Sequence, residues 1–132
     1  EAIILPIEGK GLWSTLYGYI ALKQKPDTNT ILGLTFYQHG ETPGLGGEVD
    51  NPLWKAQWPG KLAFSTDKKT GVPTKSPNIS VVKGGAKPGD PYGIDGLSGA
   101  TITGRGVHHL VRFWLGDLGF GPYITQFRAE GK

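Results

Sequence analysis

The run Val107-His108-His109-Leu110-Val111-Arg112-Phe113-Trp114-Leu115-Gly116-Asp117-Leu118 carries the strongest secondary-structure signal in this chain. Its apolar residues recur at helical spacing and form one stripe, namely Val107, Leu110, Val111, Trp114, Leu115 and Leu118. Polar residues occupy the other faces, namely Arg105, His108, His109, Arg112 and Asp117. The pattern predicts an amphipathic helix that packs on a sheet and ends at Gly119.

Two β-type segments precede this helix and flank a turn. Residues 16–22 and 30–37 are rich in aromatic and β-branched side chains, and the sequence Pro26-Asp27-Thr28-Asn29 between them favours a turn. These segments predict an antiparallel hairpin. Further along, residues 49–58 predict a short helix with Pro52 in its first turn.

Shorter strands complete the predicted elements. Residues 62–65 and 79–82 border a polar excursion at 66–78, and a last strand is expected at 123–127. Together the elements predict an α+β fold with a mainly antiparallel sheet. A helix follows the Glu-Thr-Pro-Gly-Leu-Gly loop, and a long amphipathic helix lies near the C-terminus. At 132 residues the chain fits one domain, residues 1–132.

Composition excludes several kinds of site. No cysteine is present, so the chain builds no disulfide, thiolate metal site or iron–sulfur cluster. The net charge of +3, from 14 basic and 11 acidic residues, does not by itself imply nucleic-acid binding. Nowhere do about 18 apolar residues follow one another, so no segment is predicted to span a membrane. The chain starts at Glu1 and contains no methionine, and we expect it to be part of a longer protein.

A segment rich in glycine and hydroxyl groups precedes the amphipathic helix. It reads Asp95-Gly96-Leu97-Ser98-Gly99-Ala100-Thr101-Ile102-Thr103-Gly104. The first four N–H groups of a helix lack intrahelical partners, and the peptide dipoles leave about half a positive charge at that end. A phosphate is therefore favoured there, and glycine lets it approach the backbone. Asp95 is expected to shape this loop by accepting hydrogen bonds from backbone N–H groups.

The hexapeptide Ser98-Gly99-Ala100-Thr101-Ile102-Thr103 resembles the flavinylation motif of the FMN-binding domain family. The likeness extends through Gly11-Leu12-Trp13, residues 39–47 and residues 113–123, so it spans almost the whole chain. It implies that Thr103 is esterified to the phosphate of FMN by a separate flavin transferase, which uses FAD as donor and releases AMP. The Thr103 hydroxyl must then be reachable by that enzyme. Because Thr103 is an attachment point, the chain is expected to contain no catalytic residue.

The same resemblance implies further contacts with the cofactor. Ser98, Gly99, Ala100 and Thr101 are expected around the phosphate and the ribityl chain. Thr42 and Leu45 are expected against a face or edge of the flavin ring, and Trp13 is a candidate for stacking on it. Glu41 either binds the cofactor or caps a backbone group of the nearby helix. A plain turn and a core tryptophan are the alternatives for the 41–46 loop and for Trp13.

Other aromatic and imidazole side chains have structural interpretations. Trp54, Trp58 and Trp114 are expected in the core. His108 and His109 are adjacent on a helix and point about 100° apart, and His39 lies far away in sequence, so no metal site is expected. Gly104 stands where serine or another small residue is expected in relatives, and it destabilises the helix start by about 1 kcal/mol relative to alanine.

Family likeness also implies a function in electron transfer. The domain is expected to relay electrons, one at a time, inside a membrane-bound, sodium-translocating NADH:quinone oxidoreductase. It would face the periplasm of a bacterial inner membrane, held by a transmembrane helix N-terminal to this sequence. Its partners would be the other subunits and, during maturation, the flavin transferase.

Two alternatives stay open. An Rnf-type complex, which oxidises ferredoxin, uses the same chemistry. A non-enzymatic module that binds a sugar or a nucleic acid belongs to another class, and the weak positive charge counts against it.

Overall fold

The computed structural model describes residues 2–11, 14–24, 27–41, 46–97 and 101–129. Its main sheet has three antiparallel strands in the order β1 (Ala2–Lys10), β2 (Thr15–Lys23) and β3 (Ile31–Gln38). β1 is absent from the predicted elements, although Ile3, Leu5 and Ile7 alternate with exposed residues at the period of a half-buried strand. The predicted hairpin is confirmed, since β2 and β3 pair through Ile20 and Leu34.

The middle of the chain consists of short elements. A 3₁₀ helix covers Gly46–Asp50, and α1 covers Pro52–Lys55. The predicted helix over 49–58 was therefore too long. Asn51 explains the break, because its side chain accepts a hydrogen bond from the Leu53 N–H and caps a new helix there. Pro52 takes the first helical position, as predicted.

Two further strand pairs follow α1. β4 (Phe64–Thr66) pairs antiparallel with β5 (Pro73–Pro77), and β6 (Ser80–Val82) pairs in parallel with β7 (Gly93–Asp95). The strands predicted at 62–65 and 79–82 are confirmed with shifted ends. β5 lies inside the polar excursion and β7 lies between the strand predicted at 79–82 and the amphipathic helix, and neither was predicted. β5 has no buried residue, and β7 is too short to show an alternation, although its Ile94 is fully buried.

The amphipathic helix is α2 (Thr101–Leu115), followed by α3 (Gly121–Ala129). The predicted end at Gly119 was wrong. The Gly116 N–H bonds to the Phe113 carbonyl in a tightened last turn, and Leu118 lies beyond the helix with 86% of its surface exposed. The strand predicted at 123–127 was also wrong. Phe120, Ile124 and Phe127 follow helical spacing, and Ile124 is fully buried.

One hydrophobic core joins the sheet, α2 and the short elements, so the α+β prediction with a mainly antiparallel sheet is confirmed. The largest fully buried side chains are Trp58, Phe64, Leu16, Ile20, Leu22, Ile31, Ile94, Leu115 and Ile124. Trp54 is buried as expected, and Trp114 packs half-buried against the core while its indole N–H donates to the Glu8 carbonyl. Among the described residues, no helix is long and apolar enough to cross a membrane.

Asn29 connects the hairpin turn to β4 through a buried amide. Its Nδ2 donates to the Phe64 carbonyl at 3.0 Å, and its Oδ1 accepts from the Phe64 N–H at 2.6 Å. Asn29→Ala leaves both backbone groups without these partners, so we expect a loss of about 3 kcal/mol in the free energy of unfolding. Urea denaturation measures it. Asn51→Ala, which removes a helix cap, is the control and should lose only about 1 kcal/mol; equal losses would contradict this assignment.

Candidate functional site

The start of α2 and the end of the main sheet meet at a buried hydrogen bond. Thr103, the third residue of α2, donates from its hydroxyl to Glu41 Oε1 at 2.6 Å. The two residues are 1% and 5% exposed, respectively. They lie 62 positions apart in the sequence, so the fold brings the predicted anchor onto a carboxylate just after β3. The site is therefore built from both of the strongest motifs in the chain.

Ser14 holds the second oxygen of the same carboxylate. Its backbone N–H and its hydroxyl both donate to Glu41 Oε2, at 2.9 and 3.0 Å. The Ser14 Oγ in turn accepts from the Gly40 N–H at 2.7 Å. Sequence reasoning missed Ser14, which directly follows Gly11-Leu12-Trp13. Its only signal was that position, because isolated serines next to a strand are common.

Gly11 leaves room for this carboxylate. A Cβ atom at Gly11 would lie 2.5 Å from Glu41 Oε1 and 2.9 Å from a methyl group of Leu16. Only glycine fits there without displacing the acceptor of the Thr103 hydrogen bond. The Gly11 N–H also closes a turn by donating to the Ser14 carbonyl at 2.9 Å.

His39 holds the backbone N–H of Glu41. The Glu41 N–H donates to His39 Nδ1 at 3.1 Å, and His39 Nε2 lies 2.8 Å from Asp50 Oδ2. With Nδ1 acting as acceptor, Nε2 carries the proton that Asp50 accepts. The histidine thus orients the loop that carries the carboxylate. Among the described residues, no group of three or more His, Cys, Asp or Glu side chains could hold a metal ion.

A cavity of about 670 Å³ borders the next face of α2. Its volume lies in the range of small-molecule sites. Lys83 and Arg105 contribute positive charge to its lining, and Asp95 contributes negative charge. The lining residues are Val81, Lys83, Gly84, Gly85, Asp95, Gly96, Leu97, Gly104, Arg105, His108 and His109. Thr103 faces away from this cavity toward Glu41, because successive helical residues are turned by about 100°.

His108 ties this part of α2 to β6. The Val81 N–H donates to its Nδ1 at 3.0 Å. Burial lowers the pKa of His108 below its ordinary value of 6.5, and the positive charges of Arg112 and His109 act in the same direction. The ring is therefore neutral near pH 7, as an acceptor must be. Asp95 binds the Ala86 N–H at 2.8 Å, which agrees with the predicted loop-shaping role.

The structure describes part of the predicted cofactor site. Thr103 and Glu41 are in direct contact, and the backbone of Thr101 forms the first residue of α2. The other predicted residues lie outside the described ranges, namely Trp13, Thr42, Leu45, Ser98, Gly99 and Ala100. Glu41 accepts a hydrogen bond from a backbone N–H, but the donor is Ser14, which immediately precedes β2, and not a residue of the helix that follows Glu41.

The start of α2 fits an FMN phosphate ester, but attachment at Thr103 requires movement of the groups that cover it. A threonine hydroxyl, the group that forms the ester, lies in the first turn of a 15-residue helix, whose N–H groups and dipole favour an anion. Because Thr103 is 1% exposed, however, an enzyme can reach its hydroxyl only after covering groups move aside.

Two curated relatives carry the same name and match nearly all of this chain. The C subunit of the Na⁺-translocating NADH-quinone reductase of Vibrio parahaemolyticus is 52% identical over 129 residues, which cover 98% of this chain and 46% of that protein. The Yersinia pestis protein of the same name is 48% identical over 126 residues, 96% of this chain and 44% of that protein. The chain thus spans about half the length of these curated relatives.

Solved structures and a family model agree with this relationship. NqrC of Shewanella oneidensis superposes with a TM-score of 0.84 at 46% identity, covering 98% of this chain and 55% of that one. The C subunit of the Parabacteroides distasonis reductase gives 0.72 at 34% identity, covering 98% and 57%. The model of the FMN-binding domain matches residues 11–116, which include Ser14, Glu41 and Thr103. The chain therefore belongs to the FMN-binding domain family.

Proposed function

We propose that this domain is an electron carrier that holds one FMN through a phosphoester to the Thr103 hydroxyl. The observation that carries the proposal is the position of Thr103. It closes the Ser-Gly-Ala-Thr-Ile-Thr motif, occupies the first turn of α2 and donates its hydroxyl proton to a buried carboxylate.

The helix start supplies the electrostatics that a phosphate needs. The backbone N–H groups at residues 101–104 lie in the first turn of α2, where no preceding helical carbonyl is available to them. The dipole of the helix adds partial positive charge at the same end. In the proposed arrangement, Ser98, Gly99, Ala100 and Thr101 donate to the phosphate and the ribityl chain.

The proposed position of the flavin ring follows from the direction of Thr103. Its side chain faces Glu41 and Ser14. Trp13 immediately precedes Ser14, and Thr42 immediately follows Glu41. We therefore assign the ring to that side of α2, with Trp13 against its face and with Thr42 and Leu45 at its edge. When bound, FMN supplies the electron-transfer chemistry, while the protein supplies attachment, orientation and electrostatic tuning.

In the whole protein, the domain is proposed to work as the C subunit of a sodium-translocating NADH:quinone reductase. The relatives named above support this choice over an Rnf-type complex, because they carry that name and match nearly all of this chain. The proposed partners are the other subunits of the reductase, and a flavin transferase during maturation. The proposed location is the periplasmic side of a bacterial inner membrane, with the membrane anchor in a part of the protein outside this sequence.

The proposal is tested by producing the chain in cells with and without a flavin transferase, followed by unfolding in acid. With the transferase, we expect a mass gain of one esterified FMN and a yellow colour that stays with the unfolded polypeptide. Without it, the unfolded chain should be colourless. A chain that stays unmodified while the same transferase labels a control substrate would contradict the proposal and favour a non-enzymatic binding module.

A further inference from the structure

The Glu41 carboxylate is arranged as a nucleophile's base is arranged in enzymes. One oxygen, Oε1, accepts the Thr103 hydroxyl at 2.6 Å, which is within the range required for direct proton transfer. The other oxygen, Oε2, is held by the Ser14 N–H and hydroxyl. A nucleophile, a base and a third group that orients the base recur wherever hydroxyl groups are activated.

We propose that Glu41 is the general base that activates Thr103 when the flavin is attached. This inference rests on the proposed function, since it concerns the reaction that forms the phosphoester. The Thr103 Oγ1 attacks the FMN phosphorus of the pyrophosphate of FAD, and the new Oγ1–P bond forms as the P–O bond to AMP breaks. The hydroxyl proton passes to Glu41 Oε1, and AMP leaves with the electron pair of the broken bond. No oxidation or reduction takes place.

Burial makes this carboxylate an effective acceptor. Both residues of the pair are almost fully removed from solvent, and hydrogen bonds to an ionised group are stronger in such surroundings than in water. Ser14 holds Oε2 through two hydrogen bonds, while Oε1 accepts the Thr103 hydroxyl. Gly11 preserves the space for Oε1, because a Cβ there would lie 2.5 Å away.

The proton transferred to Glu41 can also stabilise the product of the reaction. After esterification, Thr103 has no hydroxyl hydrogen to donate, and the ester phosphate carries negative charge next to Glu41. An ionised carboxylate and a phosphodiester at such a short distance would repel each other in a site of low dielectric constant. A carboxyl group that has kept the proton can instead donate a hydrogen bond to a phosphate oxygen. The proton that Glu41 takes from Thr103 would thus be retained next to the ester phosphate.

A purely structural role makes a different prediction for Glu41→Gln. The amide has the same shape, and its oxygen can still accept a hydrogen bond from Thr103, but it cannot take up a proton at neutral pH. If Glu41 only anchors α2 to the sheet, this variant should be labelled at nearly the native rate. If Glu41 is the base, the rate should fall by about 100-fold or more.

The test is a single-turnover reaction of the purified chain with a purified flavin transferase and FAD. AMP release and the flavin fluorescence of the denatured chain are followed together for the native protein, Glu41→Gln, Glu41→Asp and Ser14→Ala. Glu48→Gln is the matched control, because it makes the same change in a nearby carboxylate that binds Asn51. We expect native rates for Glu48→Gln and smaller losses for Glu41→Asp and Ser14→Ala than for Glu41→Gln.

The outcomes distinguish the role of Glu41 as a base from the attachment of flavin at Thr103. Glu41→Gln labelled within about twofold of the native rate would overturn the role of Glu41 and leave attachment at Thr103 intact. A native chain that the transferase does not label would overturn both. Thermal unfolding reports whether each variant is folded. If Glu41→Gln is unfolded, Glu41→Asp is the deciding variant, because its shorter side chain withdraws the carboxylate by one methylene. Labelling of Glu41→Asp at the native rate would then overturn the inference.

Discussion

Thr103→Val is expected to abolish covalent flavin attachment completely. Valine has nearly the shape of threonine but lacks the hydroxyl that is proposed to form the phosphoester, so the protein produced with a transferase should be colourless after acid unfolding. The measurement is flavin absorbance per unfolded chain, together with intact mass. The change also removes one hydrogen-bond donor to the buried Glu41 carboxylate, so we expect the free energy of unfolding to fall by about 1–2 kcal/mol.

Two controls keep this result specific. Thr103→Ser retains a hydroxyl and should still be labelled. Thr101→Val removes the other threonine hydroxyl of the motif, which is proposed to contact the phosphate without forming the ester, so labelling should become slower but still occur. Circular dichroism confirms that each variant is folded. Covalent flavin on Thr103→Val, or its loss only in Thr101→Val, would move the attachment point away from Thr103.

Gly106→Ala is expected to destabilise the protein by about 2–3 kcal/mol. A Cβ at Gly106 would overlap the Lys10 carbonyl oxygen and lie 3.4 Å from the Gly11 Cα, so α2 could no longer rest directly on the end of β1. Neither contact is with a flexible side-chain end that could turn away. The displaced helix would also move Thr103 relative to Glu41, so flavin attachment should slow. Urea denaturation and labelling kinetics measure the two effects.

Gly104→Ala in the same helix turn is the matched control, and we expect it to change the stability in the opposite direction. Its Cβ would meet the Leu97 nitrogen at 3.6 Å and a methyl of Val81 at 3.8 Å, which are ordinary van der Waals contacts. Alanine has the higher helix propensity, so this variant should gain about 0.5–1 kcal/mol. If the two variants changed stability equally, close approach of α2 to β1 would not be the reason for glycine at 106.

Elements with strong local patterns were predictable from the sequence. The hairpin has β-branched and aromatic residues on both sides of a turn sequence, and α2 has a continuous apolar stripe from Val107 to Leu115. The ends were less predictable. Leu118 continued the helical spacing, but the chain turns back after Gly116, where the Gly121 N–H bonds to the Gly116 carbonyl. Such a reversal depends on tertiary contacts, which a spacing pattern does not contain.

The prediction of β1, β7 and α3 from the sequence failed for a different physical reason in each case. β1 shows the alternation of a strand, but Pro6 and the terminal position weaken the signal. β7 has three residues and is defined by its parallel partner β6, which lies 13 positions earlier in the register. α3 contains Tyr123, Thr125 and Phe127, which suit a strand, although burial of Ile124 decides in favour of a helix.

For the site, sequence identified the groups but not their connection. Thr103 and Glu41 belonged to separate motifs, and no local rule joins residues 62 positions apart. Ser14 had no chemical signal of its own, since its role arises only when β2 brings it to Glu41. The glycines at 11 and 106 were visible as residues, but the carboxylate and the carbonyl that require them became visible only in the fold.

Mapping the flavin to one side chain tests the central claim most directly. Trypsin should release residues 84–105 as one peptide, since the Lys87–Pro88 bond resists cleavage, and it carries three candidate hydroxyl side chains in the motif, Ser98, Thr101 and Thr103. Fragmentation of this peptide from the labelled native chain should locate the FMN mass on Thr103. Its location on Thr101 or Ser98, or in any other peptide, would contradict the account.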